Sequence, residues 1–368
     1  METKKTSIIK TVVLTSASFA GYNIGSGFAT GIEALQFFGS WEAKSAFMGI
    51  VIAFIVAMVV LCAVYITGFE QRFDDNKKVY RYFCGNRIGL VFDYYIYVSM
   101  ILVTLTMMSG AGATINQYSG LPTYVGSAIM GVLCIITSLL GLDKLRKTLG
   151  SMCIFIVAFV FLCGIYVAVT SEISMVIGSA NVETYVARGE ILRASAFGIR
   201  DPYLSGVASA GLLISSGFAW ASATGALCTN RKEAVWSGVF SSLFFYGSMA
   251  VVVYLLLVAM DHVAGKEVPM LAVIQYYLPV LSSAYSAIII LAIYSTISGR
   301  LFLIGERYGR GNKKLALAIV TGITVFAALG ASFIPFSKIS NFMFSICGAV
   351  GIILGIIVVV KFSLTRVR

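Results

Sequence analysis

The sequence predicts an all-α membrane protein of ten transmembrane helices, arranged as two inverted repeats of five, with the first and sixth helices broken. Three observations predict it. The 368-residue chain is 59% hydrophobic and only 12% charged, against about 25% charged in an ordinary soluble domain. Uncharged stretches of about 20 residues, the length that crosses a bilayer, recur from end to end. One short glycine-bearing phrase appears twice, half the chain apart.

Apolar runs punctuated by charges, proline and glycine place the spans at roughly 8–38, 45–69, 88–117, 122–141, 148–170, 203–228, 234–260, 280–305, 314–335 and 339–361. The segment 171–201, with Glu172, Glu183, Arg188, Glu190, Arg193 and Arg200, reads as an interfacial helix region. Pro269 to Leu278 reads as a short helix capping the site from outside. No stretch remains for a soluble domain, so residues 1–368 form one transmembrane domain with repeats at about 8–170 and 203–361. A secretory leader would also begin with lysines before an apolar run. Here that run continues through Gly21 to Phe38, and its centre recurs later, so it belongs to the mature chain.

Basic residues concentrate on the cytoplasmic side of a membrane. With the N-terminus inside, only Lys44, Arg188, Arg193, Arg200, Lys266 and Lys338 of the 27 Lys and Arg fall outside. The other 21, Arg300 among them, fall inside, together with both termini. The net charge of +11 therefore reflects topology, not nucleic-acid binding. The seven cysteines lie mostly in apolar segments without Cys-x-x-Cys spacing, and the single histidine, His262, stands beside Asp261 in a loop. Neither a metal centre nor a catalytic triad is indicated, so an enzyme is not expected. Oligomeric state leaves no trace in the sequence.

The repeated phrase is Ser26-Gly27-Phe28-Ala29 and Ser216-Gly217-Phe218-Ala219, preceded in both copies by an Ala-Gly pair (20–21 and 210–211) and an isoleucine, Ile24 and Ile214. The offset is a constant 190 residues. Five spans separate the copies, so they cross the membrane in opposite directions, the mark of an inverted repeat. Each glycine costs about 1 kcal/mol of helicity, and backbone groups freed within hydrocarbon must find polar partners. Irregular backbone there lines a cavity, where half-helix ends offer N–H groups to an anion and carbonyls to a cation. Small residues at this spacing also serve close helix packing.

This layout resembles the LeuT-type fold of the amino acid-polyamine-organocation superfamily over essentially the whole chain. Gly25-Ser26-Gly27-Phe28-Ala29-Thr30-Gly31-Ile32-Glu33 followed by Phe37-Phe38 is similar to YkvI-like bacterial membrane proteins. The resemblance implies a bacterial plasma-membrane transporter with cytoplasmic termini, moving a small amino-acid-like or amine solute by alternating access. Sodium-coupled members hold the ion with carbonyls of the broken first helix and an Ala-x-x-Ser/Thr-Ser/Thr pattern on the eighth; Ala292-Ile293-Tyr294-Ser295-Thr296 matches it. The match implies sodium held by the carbonyls of Gly21, Ile24 and Ala292 and the side chains of Ser295 and Thr296, with no other cofactor. Proton-coupled relatives carry a lysine within the fifth helix, whereas residues 148–170 contain none and Lys147 lies at the end. Related ten-span germinant receptors imply an alternative role in ligand sensing without net transport.

For substrate, the resemblance implies a pocket lined by Asn23, Gly25, Ser26, Gly27, Phe28, Ile214, Ser215, Ser216, Gly217, Phe218 and Trp220. N–H groups around Ser26 to Phe28 would meet a carboxylate, carbonyls of Ile214 to Ser216 an amine, and Phe218 and Trp220 would form a gate. Two carboxylates stand apart. Glu33, roughly 9 Å beyond Gly27 if the helix continues, is an intramembrane ionisable group and by default functional, in coupling or cation recognition. Asp93, beside Tyr94, Tyr95 and Tyr97, reads as the partner of a loop base such as Arg87 or as part of an inner gate.

Overall fold

The structure, a computed structural model, describes residues 2–140 and 145–367, with side chains described over 8–75, 78–137 and 156–365. The order is α1 (Glu2–Asn23), α2 (Ser26–Thr30), α3 (Ile32–Ala34), a π-helical turn (Leu35–Gly39), α4 (Ala43–Gln71), α5 (Asn76–Ser119), α6 (Thr123–Leu140) and α7 (Leu145–Thr170). The short α8 (Met175–Gly178) and α9 (Val182–Ala187) follow, then α10 (Pro202–Gly225), α11 (Arg231–Val258), α12 (Met260–Val263), α13 (Pro269–Tyr277), α14 (Ser282–Gly309), α15 (Lys313–Phe333) and α16 (Phe336–Val367). No strand occurs among the described residues.

The helix starts carry acceptors for the N–H groups that a first turn leaves unpaired. Asp201 Oδ1 accepts from Tyr203 and Leu204 at 2.9 and 2.8 Å, with Pro202 already in the first turn. Asn230 and Asn312 cap α11 and α15 in the same way. The start of α16 is capped from a distance: Glu267 accepts from the Ser337 N–H at 2.7 Å and its hydroxyl at 3.0 Å.

Seven helices among the described residues are long and apolar enough to cross a membrane: α4, α5, α10, α11, α14, α15 and α16. The last part of α7 and the α8–α9 segment form a further apolar pair bent by 101°. That bend lays α8 and α9 across the end of the bundle, in keeping with the interfacial reading of 171–201. Arg193 fastens this segment to the end of the first span, donating to the Ser40 carbonyl at 3.0 and 2.8 Å and stacking 3.7 Å over Trp41. The Lys147 and Cys153 side chains lie outside those described.

Two departures from the sequence reading matter for the site. The third span starts near 88, as expected, but not directly from a loop. A helical segment from 76 to 84 precedes it and doubles back at Gly85, whose φ of +73° only glycine adopts freely. Tyr80 thereby stacks on Phe92, with centroids 6.0 Å apart. The expectation of a broken sixth helix is also corrected: α10 is helical throughout, from Pro202 to Gly225. Ser215 and Ser216 hydroxyls back-bond to the Leu212 and Leu213 carbonyls at 3.1 and 3.2 Å, as hydroxyls in helices do. Gly217 is small because α1 presses on it; a β-carbon there would lie 2.7 Å from the Phe19 ring and 2.8 Å from Asn23 Nδ2. The packing use of the phrase holds in the second copy and the helix-breaking use in the first.

Candidate functional site

The first span comes apart in two places. Ile24 still donates to Ala20 at 2.6 Å, but the Gly25 N–H turns to the Asn23 carbonyl at 2.9 Å, so the Gly21 carbonyl loses the donor four residues on. The helix restarts at Ser26 with no side-chain cap on Gly25, and stops again at Gly31, which sits at φ +78° under Met270 of α13. Released carbonyls and a fresh helix start thus occur within one turn, in the middle of the first span.

Helix α14 meets this break. The Thr296 hydroxyl oxygen lies 3.1 Å from where a β-carbon on Gly25 would stand, and donates at 2.9 Å to the carbonyl of buried Ala292. Ser295 is half-buried next to it. The fold therefore brings Thr296 of α14 up to the interrupted backbone at Gly25. Oxygens of this kind, hydroxyl and carbonyl without net charge, suit a hard cation of low charge. Among the described residues no group of three His, Cys, Asp or Glu is placed to hold a metal ion.

Glu33 is not 9 Å from the break. The helix is bent at Gly31, and Glu33 Oε2 lies 3.2 Å from the β-carbon position of Gly27. The residue is 7% exposed. None of the ion pairs among the described residues includes it.

The pocket residues divide. Asn23 accepts from the Ser216 hydroxyl at 2.8 Å, and Tyr22 stacks on Trp220 with centroids 4.9 Å apart, so the second copy meets the first through side chains. Trp220 also donates to Ser18 at 3.3 Å and is 36% exposed. Ser26 donates to the sulfur of Met107, and Phe28 is fully buried. Two residues stand away from the break: Phe218 packs on Tyr80 and Phe83, and Ile214 faces Gly355 of α16. Because α10 is continuous, the carbonyls of Ile214 to Ser216 are not released by a break, which corrects the expected amine contact.

Asp93 is 5% exposed; Oδ2 faces Arg81 at 3.4 Å and Oδ1 is buried without a hydrogen bond. Its partner is Arg81, not Arg87, because the reversal at Gly85 swings the 76–84 segment onto the start of the span. Sequence reasoning also missed Arg300. Counted on the cytoplasmic side although within the span 280–305, it lies inside α14, more than two turns before Gly309. The uninterrupted apolar run around it was the available signal.

On the face opposite the termini, side-chain amides close the assembly. Gln117 of α5 accepts from the Val268 N–H at 3.0 Å and donates to its carbonyl at 3.1 Å, and Gln36 donates to the Ser337 carbonyl at 2.8 Å. From Phe28 to Trp41 every residue is buried, whereas Tyr22 is 40% exposed and Ser216 is exposed. Burial is thus complete on one side of the break and partial on the other.

No protein-family model matches this chain, and no curated protein does. Solved structures do. The structure superposes on MhsT in complex with L-phenylalanine with a TM-score of 0.58, covering 94% of this chain and 87% of that one at 11% identity. It superposes on the inward facing conformation of Mhp1 with a TM-score of 0.59, covering 97% and 77% at 16% identity. The chain has the LeuT-type fold. The likeness spans nearly all of it, including the broken first span. At these identities the fold is shared without any statement about ligand.

Proposed function

We propose that this protein is a secondary active transporter of a small amino-acid-like or amine solute, driven by sodium, working by alternating access around the break between α1 and α2. In this reading the chain crosses the membrane ten times, as inverted repeats of five spans, with both termini in the cytoplasm of a bacterium. The observation that carries the reading is the seating of Thr296 against Gly25, which sets a hydroxyl of α14 beside the interrupted hydrogen bonds of α1. Irregular backbone within a membrane span is stable where it lines a polar cavity, and the placement fits an ion-linked substrate site.

Sodium would take the carbonyls of Gly21, Ile24 and Ala292 and the hydroxyls of Ser295 and Thr296. Solute would sit beside Asn23 and Gly25 to Phe28, bounded by Ser215, Ser216, Gly217 and Trp220. In this reading, the buried α13 side and the partly exposed Tyr22, Ser216 and Trp220 would correspond to a state closed to the outside and open to the cytoplasm. Asp93 and Arg81 would then belong to the inner rim, where an ion pair can break and re-form.

Glu33 favours a second reading, proton coupling, because a buried carboxyl group beside the break can carry a proton. Proteoliposomes separate the two. Under sodium coupling, an inward sodium gradient drives uptake of amino acids or amines and a proton gradient does not; under proton coupling the outcome reverses, and Glu33→Gln abolishes it. A ligand sensor without transport shows neither.

A further inference from the structure

Arg300 is the cation that the proposed mechanism leaves unused. It lies within α14, one helical turn from Thr296 and therefore on the same face. Since Thr296 touches the break, Arg300 looks onto the stretch of α1 just before it. Its electrostatic neighbours are Tyr22 of α1 and Cys347 of α16. No ion pair among the described residues includes it, and it is half-buried.

An arginine at this depth without a carboxylate partner is costly and marks a substrate or ion path. Its guanidinium offers five donors in a fork that matches a carboxylate, and it cannot discharge itself by losing a proton. The surroundings supply donors and no counter-charge. The Tyr95 hydroxyl is buried without a hydrogen bond, close to Ser215 and Cys347. The described carboxylate on the other side, Glu33, stands against Gly27, beyond Thr296. A cation at Thr296 and the fixed cation of Arg300 repel each other unless an anion lies between them.

We propose that Arg300 binds the anionic group of the transported solute, so that the substrate is an organic carboxylate whose acid group points towards the termini face, with Tyr22 and Tyr95 beside it. This rests on the transporter reading of the same site. It reverses the expected polarity, in which the start of α2 takes the carboxylate: the carboxylate beside Gly27 is the protein's own Glu33, which leaves that end for the solute's ammonium group. It also links ion and solute, because the carboxylate screens Arg300 from a cation at Thr296.

The test uses the purified full chain in lipid nanodiscs, with thermal unfolding and Trp fluorescence read against matched pairs: L-alanine and L-alaninamide, L-phenylalanine and L-phenylalaninamide, 4-aminobutyrate and 4-aminobutyramide, benzoate and benzamide. At least one carboxylate should raise the unfolding temperature while its amide does not. Arg300→Gln should weaken that binding at least tenfold, and Arg300→Lys, which keeps the charge, should retain part of it. Equal binding of carboxylate and amide by the native chain, no binding of any carboxylate, or undiminished binding by Arg300→Gln overturns the proposal. The native-chain comparison stands even if Arg300→Gln does not fold. Carboxylate binding without gradient-driven uptake would overturn the transporter reading alone. Gradient-driven uptake of the amides, unchanged in Arg300→Gln, would overturn the carboxylate assignment alone.

Discussion

Glu33 Oε2 and Gly27 face each other across the turn at Gly31, with 3.2 Å between the oxygen and the β-carbon position of the glycine. Six residues apart in the sequence, they meet because Gly31 takes a left-handed conformation that bends the helix between them. A carboxyl group held there without an ion-pair partner costs stability, and under the proposed function that cost is offset by its use.

Glu33→Gln should therefore raise thermal stability, by about 1 kcal/mol or more, while uptake falls at least tenfold. A structural carboxylate behaves in the opposite way, losing stability when neutralised. Parallel unfolding and uptake measurements on the one variant distinguish these.

Gly31→Ala should destabilise the protein by about 1–3 kcal/mol. Its φ is +78°, and the new methyl would meet Met270 Cγ at 2.6 Å and the Met270 N at 3.1 Å. Gly25→Ala, by contrast, meets the Thr296 hydroxyl at 3.1 Å, so it should fold and lose ion dependence instead. Thermal unfolding of the pair, with and without sodium, checks the contrast.

The continuity of α10 makes its own prediction. Gly217→Ala drives a methyl into the Phe19 ring and Asn23 and should cost about 1–3 kcal/mol. Ser216→Ala loses one hydrogen bond to Asn23 and should cost about 1 kcal/mol. Were 216–219 an open break, both changes would alter transport more than stability. Unfolding midpoints of the two variants decide.

These sites show what the sequence could and could not convey. The membrane class, the seven long apolar helices and the first break were legible because hydropathy and glycine act locally. The fate of the second phrase was not. Ser-Gly-Phe-Ala breaks α1, where Gly25 precedes it, and rides within α10, where Ser215 stands at the equivalent place and back-bonds to Leu212. One residue and the pressure of Phe19 from a distant helix decide between the outcomes. Arg300 was hidden because the charge count placed it on the cytoplasmic side, where a basic residue near a helix end and one within the helix look alike. Glu33 was legible as a buried carboxylate, but its distance from the break depended on a turn at Gly31.

The closed face should open when its polar straps are cut. Glu267→Ala removes both acceptors at the start of α16 and Gln117→Ala both bonds to Val268. Each should increase, several-fold, the rate at which an impermeant thiol reagent labels a cysteine placed at Thr30, which is buried beneath α13. Unchanged labelling in both variants would mean that the straps do not hold that side shut.

The central claim is that Thr296, Gly25 and the released carbonyls of α1 form an ion site that powers uptake. Its most direct measurement is solute uptake into proteoliposomes under an imposed sodium gradient, with native protein and Thr296→Ala side by side. The account predicts accumulation that needs inward sodium in the native protein and at least tenfold weaker sodium dependence in the variant. Uptake that is equal with and without sodium, or unchanged in Thr296→Ala, would contradict it.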